Sequence, residues 1–270
     1  KVTITTADSS IAAGDYYVMQ YRAEGVDIAH LNCGTSDAET VTLSFWVKSS
    51  LTGNFGGAMR NGAADRNYPY LYNIAQANTW EKKSITLTLD TTGTWLTTTG
   101  QGLVFMWDFG SGTTFQGTAD QWQAGNFHSA GSQVKLIATN SSTFYITGVQ
   151  LEIGSTATDF EHKSFGEELA LCQRYYYENP AITGTGLGST TIARTTGSHP
   201  VAMRSAPTVT VSNAVQFFNG AVVLTCTGSL TNFSTTTVYN ADVVTNAVGT
   251  TGYACCMVGS TGKTTVSSEL

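Results

Sequence analysis

Val41-Thr42-Leu43-Ser44-Phe45-Trp46-Val47-Lys48 alternates apolar and polar side chains along its whole length. A strand turns successive side chains to opposite faces, so Val41, Leu43, Phe45 and Val47 share one face and Thr42, Ser44, Trp46 and Lys48 the other. This is the pattern of a half-buried strand. The same alternation recurs in Ser84-Ile85-Thr86-Leu87-Thr88-Leu89 and at Leu103, Phe105, Trp107 and Phe109. Thr143 to Ile153 is apolar on both faces for part of its length and reads as a central strand. Turn signals at Thr52-Gly53, Thr92-Gly93, Gly110-Ser111-Gly112 and Asn140-Ser141 punctuate these runs. Many short antiparallel strands without βαβ alternation predict a two-sheet sandwich or jelly roll over residues 1–160.

Composition agrees with that class. Of 270 residues only 12% are charged and 41% are hydrophobic, the makeup of short strands joined by tight turns. The length accommodates two β-domains. A formal charge of −6 gives no electrostatic reason to approach phosphate backbones or anionic lipid, which excludes nucleic acid as a main partner. No apolar run reaches the roughly 18 residues of a spanning helix, so no membrane insertion is expected. Cys33, Cys172, Cys226, Cys255 and Cys256 are odd in number and form no CxxC spacing, which reads as free thiols rather than a zinc ribbon or disulfide framework. The opening Lys1-Val2-Thr3 is neither a signal peptide nor an initiator Met, and further chain is expected upstream.

One segment departs from strand periodicity. Ser164-Phe165-Gly166-Glu167 is a capping box and predicts a helix start. Phe165, Leu169, Cys172 and Tyr176 then fall on one stripe that ends before Pro180, the pattern of a short amphipathic linker helix within residues 161–179 that packs on a neighbour. Residues 180–270 return to strands, including Val209 and Val211 alternating with Thr208, Thr210 and Ser212. A second, smaller β-sandwich is expected there, with Gly184 to Gly188 as a flexible entry. That glycine run lacks the GxGxxG spacing of a nucleotide loop.

Catalytic chemistry finds little support. There is no GxSxG elbow, and His30, His128, His162 and His199 show no metal-ligand spacing. A glycosidase needs only two suitably separated carboxylates, for which Glu24, Asp65, Asp108, Asp120 and Glu152 are the obvious candidates, but each also suits a turn or a solvated strand. No catalytic residue is assigned. Aromatic placement is more informative, because apolar sugar faces stack on exposed Trp and Tyr while polar neighbours bind the hydroxyls. Tyr68, Tyr70 and Tyr72 fall at alternate positions and would project from one strand face. Trp122 lies among Asp120, Gln121, Gln123 and Asn126, and Trp46 occupies the polar side of its strand. These five aromatics are the glycan-binding candidates; the competing role for each is core or interface packing.

Several strings also resemble a known family. Val41 to Ser50, Thr79 to Trp95 and Phe144 to Glu152 resemble the carbohydrate-binding-module-like jelly roll of phage tail proteins. Gly154 to Glu161 followed by Phe165 to Tyr177 resembles the segment joining that module to a terminal domain, and Val201 to Thr208 is similar to a string near the start of that domain. The resemblance implies a protein of the virion exterior assembled in the host cytoplasm. It further implies a homotrimer, contacts with other tail or capsid proteins, and β-domains facing host surface polysaccharide or lipopolysaccharide. It carries no defined set of sugar-contacting residues. Jelly rolls of this kind often hold a structural calcium, yet no contiguous calcium-loop motif occurs here and no cofactor is expected. The expected function is therefore non-catalytic adhesion by a tail-fibre or receptor-binding component. The alternatives are a capsid or tail decoration protein and, third, a polysaccharide depolymerase.

Overall fold

A computed structural model describes residues 1–179, 185–189, 192–212, 215–218, 223–232, 235–236, 238–245, 254–257 and 263–269. The chain is all-β with short helices and divides into two compact units, Lys1–Glu161 and His162–Leu270.

The first unit is built from eight principal strands. They are β1 (Val2–Thr3), β2 (Tyr16–Glu24), β3 (Thr40–Ser49), β4 (Gly53–Asn61), β5 (Arg66–Ile74), β6 (Glu81–Thr88), β7 (Gln101–Ser111) and β8 (Thr143–Ile153). One sheet has the order β1-β8-β3-β6; the other has β2-β7-β4-β5, with Gln123–Ala124 added at its edge. All eight pair antiparallel, in the strand order of an eight-stranded jelly roll.

The inner faces carry the alternation read in the sequence. Val41, Leu43, Phe45 and Val47 of β3 are fully buried, and Leu103, Phe105, Trp107 and Phe109 of β7 face them across the sandwich. Phe45 is the hinge of this packing, its ring meeting Tyr72 edge-on at 5.2 Å and Trp107 at 5.7 Å. Burying one such ring is worth about 2–3 kcal/mol relative to exposure. At one end of the core the Arg66 guanidinium donates two hydrogen bonds to the Asp90 carboxylate, which also accepts from the Thr92 amide and hydroxyl. A buried carboxylate is tolerated because it is so fully paired.

The sheet exteriors are partly covered too. The 154–161 tail folds back across the β3–β8 side, where Thr42 donates its hydroxyl to the Gly154 carbonyl at 2.8 Å. Over the β7–β4 side lies the 112–135 excursion, tied down by a parallel pairing of Gln116–Gly117 with Ser129–Ala130. This second cover explains why β7 is buried on both faces.

In the second unit the capping box forms as expected. The Ser164 hydroxyl accepts from the Glu167 amide at 3.3 Å, and the Glu167 carboxylate accepts from the Ser164 amide at 2.9 Å. The short helix α1 (Gly25–Ile28) belongs to the first unit; the capped helix of the second, α2, runs Phe165–Gln173. The expectation of a packed amphipathic stripe is corrected: α2 buries no residue, Phe165 is 82% exposed, and Leu169 and Cys172 are exposed as well. Tyr176 leaves the helix altogether and opens strand β9 (Tyr176–Asn179). The helix ends early because pairing with a neighbouring strand satisfies the backbone of 176–179 better than further turns on an unburied helix.

The remaining strands are β10 (Thr185–Ser189), β11 (Ile192–Ser198), β12 (Thr208–Ser212), β13 (Val215–Phe218), β14 (Val223–Asn232), β15 (Val238–Thr245), β16 (Ala254–Met257) and β17 (Lys263–Ser267). They give a three-stranded sheet β9-β17-β12 and a closed barrel β10-β11-β15-β14-β13-β16. The second unit is thus β as expected, but six of its strands close on themselves instead of stacking as two sheets. Closure leaves no unpaired edge within those six strands. Residues 185–188 of the expected flexible entry are part of β10, while Gly184 lies outside the described residues.

Candidate aromatic surface site

The strand registers decide which of the five candidate aromatics can meet a ligand. Tyr68, Tyr70 and Tyr72 do share one face of β5, but it is the inner one. Tyr70 is fully buried and its hydroxyl donates to the Met106 carbonyl at 2.8 Å. Tyr72 packs between Phe45 and Phe55. Tyr68 is half-buried against Trp122, with ring centroids 5.4 Å apart. Burial drives the phenol pKa values of all three upward. Trp122 closes the same end of the core: its ring meets Trp95 edge-on at 5.5 Å and its Nε1 donates to the Thr88 carbonyl at 2.9 Å. The Tyr stripe and Trp122 are therefore packing residues: the face that carries the tyrosines points into the sandwich, and Trp122 packs from the 112–135 excursion against its end.

Trp46 behaves as its position predicts. It projects from the outer face of β3 and is 40% exposed. Opposite it stand Thr147 of β8 and Lys82 of β6. Lys48 lies two residues on, opposite Tyr145 of β8, and Trp80 stands just before β6 on the other side. The Lys48 ammonium is 4.5 Å from the Tyr145 ring centre and 5.1 Å from that of Trp80, and Lys1 lies 5.6 Å from Tyr145. Cation–π contacts of this kind fix both rings without burying them; Trp80 is 40% exposed.

Local geometry holds the patch in place. Glu81 accepts from the Ala75 and Gln76 amides and pairs with Lys83, which pins the turn that ends in Trp80 and holds the Glu81 carboxyl below its ordinary pKa. On the other side, β8 is irregular between Thr147 and Gln150, where Gly148 takes φ +57°. A Cβ there would meet Trp46 Cδ1 at 3.3 Å and Phe160 Cδ2 at 3.7 Å, so the backbone bends beneath both rings. Lys82 donates to the Thr158 carbonyl and Glu152 accepts from the Thr158 amide, fixing the tail that brings Phe160 beside Trp46. The result is a sheet face with Trp46, Trp80, Tyr145 and Phe160 among Lys1, Lys48 and Lys82. Apolar rings beside ammonium donors suit the alternating C–H faces and hydroxyls of a saccharide. Trp80, Tyr145 and Lys48 escape sequence reading because only the β3–β6 and β3–β8 registers bring them together.

The carboxylate candidates are engaged in local structure. Asp65 accepts from the Asn61 side chain, Glu152 from Thr158, and Asp108 from the Gly110 amide at 2.6 Å. Asp120 occupies a left-handed turn and Glu24 is buried. His199 joins the Tyr177 hydroxyl to the Thr235 carbonyl. Among the described residues no three His, Cys, Asp or Glu side chains are grouped as a metal site. Comparison with protein-family models, curated proteins and solved structures finds no match to this chain.

Proposed function

We propose that this chain is a non-catalytic glycan-adhesion component of a virion exterior, of tail-fibre or receptor-binding type, and that the Trp46–Trp80–Tyr145 face is its sugar-contacting surface. The observation that carries this reading is the pair of half-exposed indoles held on a sheet face by lysine contacts and a pinned turn. Exposed tryptophans on a rigid face cost solvation and return it when a sugar ring covers them. The resemblance of the 41–50, 154–161 and 165–177 strings to phage tail proteins supports the virion setting. A homotrimer displaying three such faces would turn weak single-site contacts into avid attachment to host polysaccharide or lipopolysaccharide.

Binding of the purified protein to host cells and to immobilised host polysaccharide tests the proposal. Trp80→Ala and Trp46→Ala should each weaken binding about tenfold, the loss of one stacking platform worth about 1.4 kcal/mol, whereas Tyr70→Phe should leave it unchanged. Equal binding by all three variants would remove the face from the mechanism. A second reading, a decoration protein that uses the jelly roll only as a building block, is favoured by the burial of Tyr70 and Tyr72 and the packing of Trp122 in and against the core. Labelling the protein in intact virions separates the two: a distal tail position supports adhesion and a capsid-lattice position supports decoration.

A further inference from the structure

The opposite sheet of the same unit carries a chemically different feature. On its outer face the β2, β7, β4 and β5 registers place Arg22, Val104, Arg60 and Asn67 in one row, and Gln20, Met106, Ala58 and Pro69 in the next. Arg60 is 9% exposed, yet no carboxylate among the described residues pairs with it. Its Nη1 makes one long hydrogen bond of 3.4 Å to the Asn61 carbonyl, and its buried Nε has no partner. Across Val104 stands another cation, Arg22, which is exposed and donates to the Gln20 side-chain oxygen at 3.3 and 3.4 Å. A guanidinium desolvated without a counter-ion costs several kcal/mol, so a fold that retains one has a use for it.

Two further groups border the same cations. His128, 2% exposed, comes from the covering 112–135 excursion, where its amide donates to the Phe115 carbonyl. Its ring is stacked on Phe115 at 4.5 Å and meets Tyr16 edge-on at 4.6 Å, while its buried Nδ1 has no partner. Tyr16, whose ring touches that of His128, is half-exposed. The Asn67 side chain, opposite Arg60, donates its Nδ2–H to the Phe127 carbonyl and so brings the neighbouring His128 to the same side. The arrangement thus has an uncompensated planar cation, a second cation, an imidazole with a spare nitrogen and an aromatic ring open to solvent.

We propose that Arg60 and Arg22, with His128 and Tyr16, form a carboxylate-binding subsite that takes an acidic sugar of the hexuronate class. The guanidinium fork of Arg60 matches a carboxylate, supplying the counter-charge that the protein withholds. Tyr16 offers a ring face for the sugar body. The subsite lies on the other sheet from Trp46 and does not depend on the role of that face.

Calorimetric titration of the full chain at low ionic strength with glucuronic acid and its oligomers, against glucose and its oligomers, tests this. Glucuronate should bind at least tenfold more tightly than glucose, and inorganic phosphate should compete weakly. Arg60→Gln should abolish the preference, and Arg22→Gln, at an exposed position that folding tolerates, should weaken glucuronate binding several-fold. In wild-type protein the histidine resonances of His128 should shift on addition of glucuronate and stay fixed with glucose. Equal affinity for glucose, tighter binding of phosphate, unchanged binding by Arg22→Gln, or no glucuronate binding at millimolar concentration would each overturn the assignment.

Discussion

Trp46 and Tyr70 are both aromatic residues of period-two strands, yet one is 40% exposed and the other fully buried. The difference is the parity of one position against the core, and it decides whether a ring is a platform or a packing piece. The cysteines show the same dependence on place. Burial pushes the Cys33 thiol up to about 11, whereas Cys172 stands exposed on α2. Thiolate is the reactive form, so Cys33 should resist iodoacetamide at pH 8 while Cys172 is alkylated at least tenfold faster. Peptide mass mapping after timed labelling reads this directly, and comparable rates at the two positions would contradict the partial burial of Cys33.

Among the elements, β4 was the least legible. Gly53-Asn54-Phe55-Gly56-Gly57-Ala58-Met59-Arg60-Asn61 carries three glycines and no regular apolar alternation, yet it is a central strand of its sheet. The glycines are there for clearance. A Cβ on Gly57 would lie 2.1 Å from the Met106 carbonyl oxygen and 2.5 Å from the Tyr70 hydroxyl, and one on Gly56 would strike Ser129. Helix α2 presents the opposite case: a Cβ on Gly166 meets nothing within 4 Å. Gly57→Ala should therefore destabilise by about 3 kcal/mol, because the obstructing atom is backbone. Gly166→Ala should be neutral or stabilise by up to about 0.5 kcal/mol through reduced chain entropy. Thermal denaturation of both variants checks the pair; a stable Gly57→Ala would mean that β4 is not packed as described.

At the scale of the molecule, stability should depend on pH through His128. Burial first, and the Arg60 charge second, hold its imidazole down to about 4 against an ordinary value of 6.5. The unfolded chain therefore takes up the proton first as pH falls. The stabilising preference for neutral His128 is fully present above pH 6.5 and is lost as the pH drops through 6.5 towards 4. A shift of this size corresponds to about 3 kcal/mol as an upper bound on the loss. Asp108 acts in the other direction, since burial raises its carboxyl pKa and protonation relieves a desolvated charge. Comparing wild type with His128→Gln in denaturant melts at pH 7 and pH 4.5 isolates the histidine: the variant should lose clearly less stability on acidification. A parallel decline in both would place the acid sensitivity elsewhere.

The alternation at 41–48, 84–89 and 103–109 was enough to identify β-strands and their inner faces, and the capping box at Ser164 and Glu167 was enough to start α2, because both signals are local. A strand's two faces are set by the chain's own geometry, and a cap by four consecutive residues. What the local pattern leaves open is which neighbour each face meets. Only the tertiary structure turned the Tyr68–Tyr72 stripe inward, assembled Trp46, Trp80, Tyr145 and Lys48 from two strands and the turn before β6, closed six of the second unit's strands into a barrel and left Arg60 without a carboxylate partner among the described residues. Register and strand order depend on pairings between residues tens of positions apart, and the free energy that selects them is that of the assembled core.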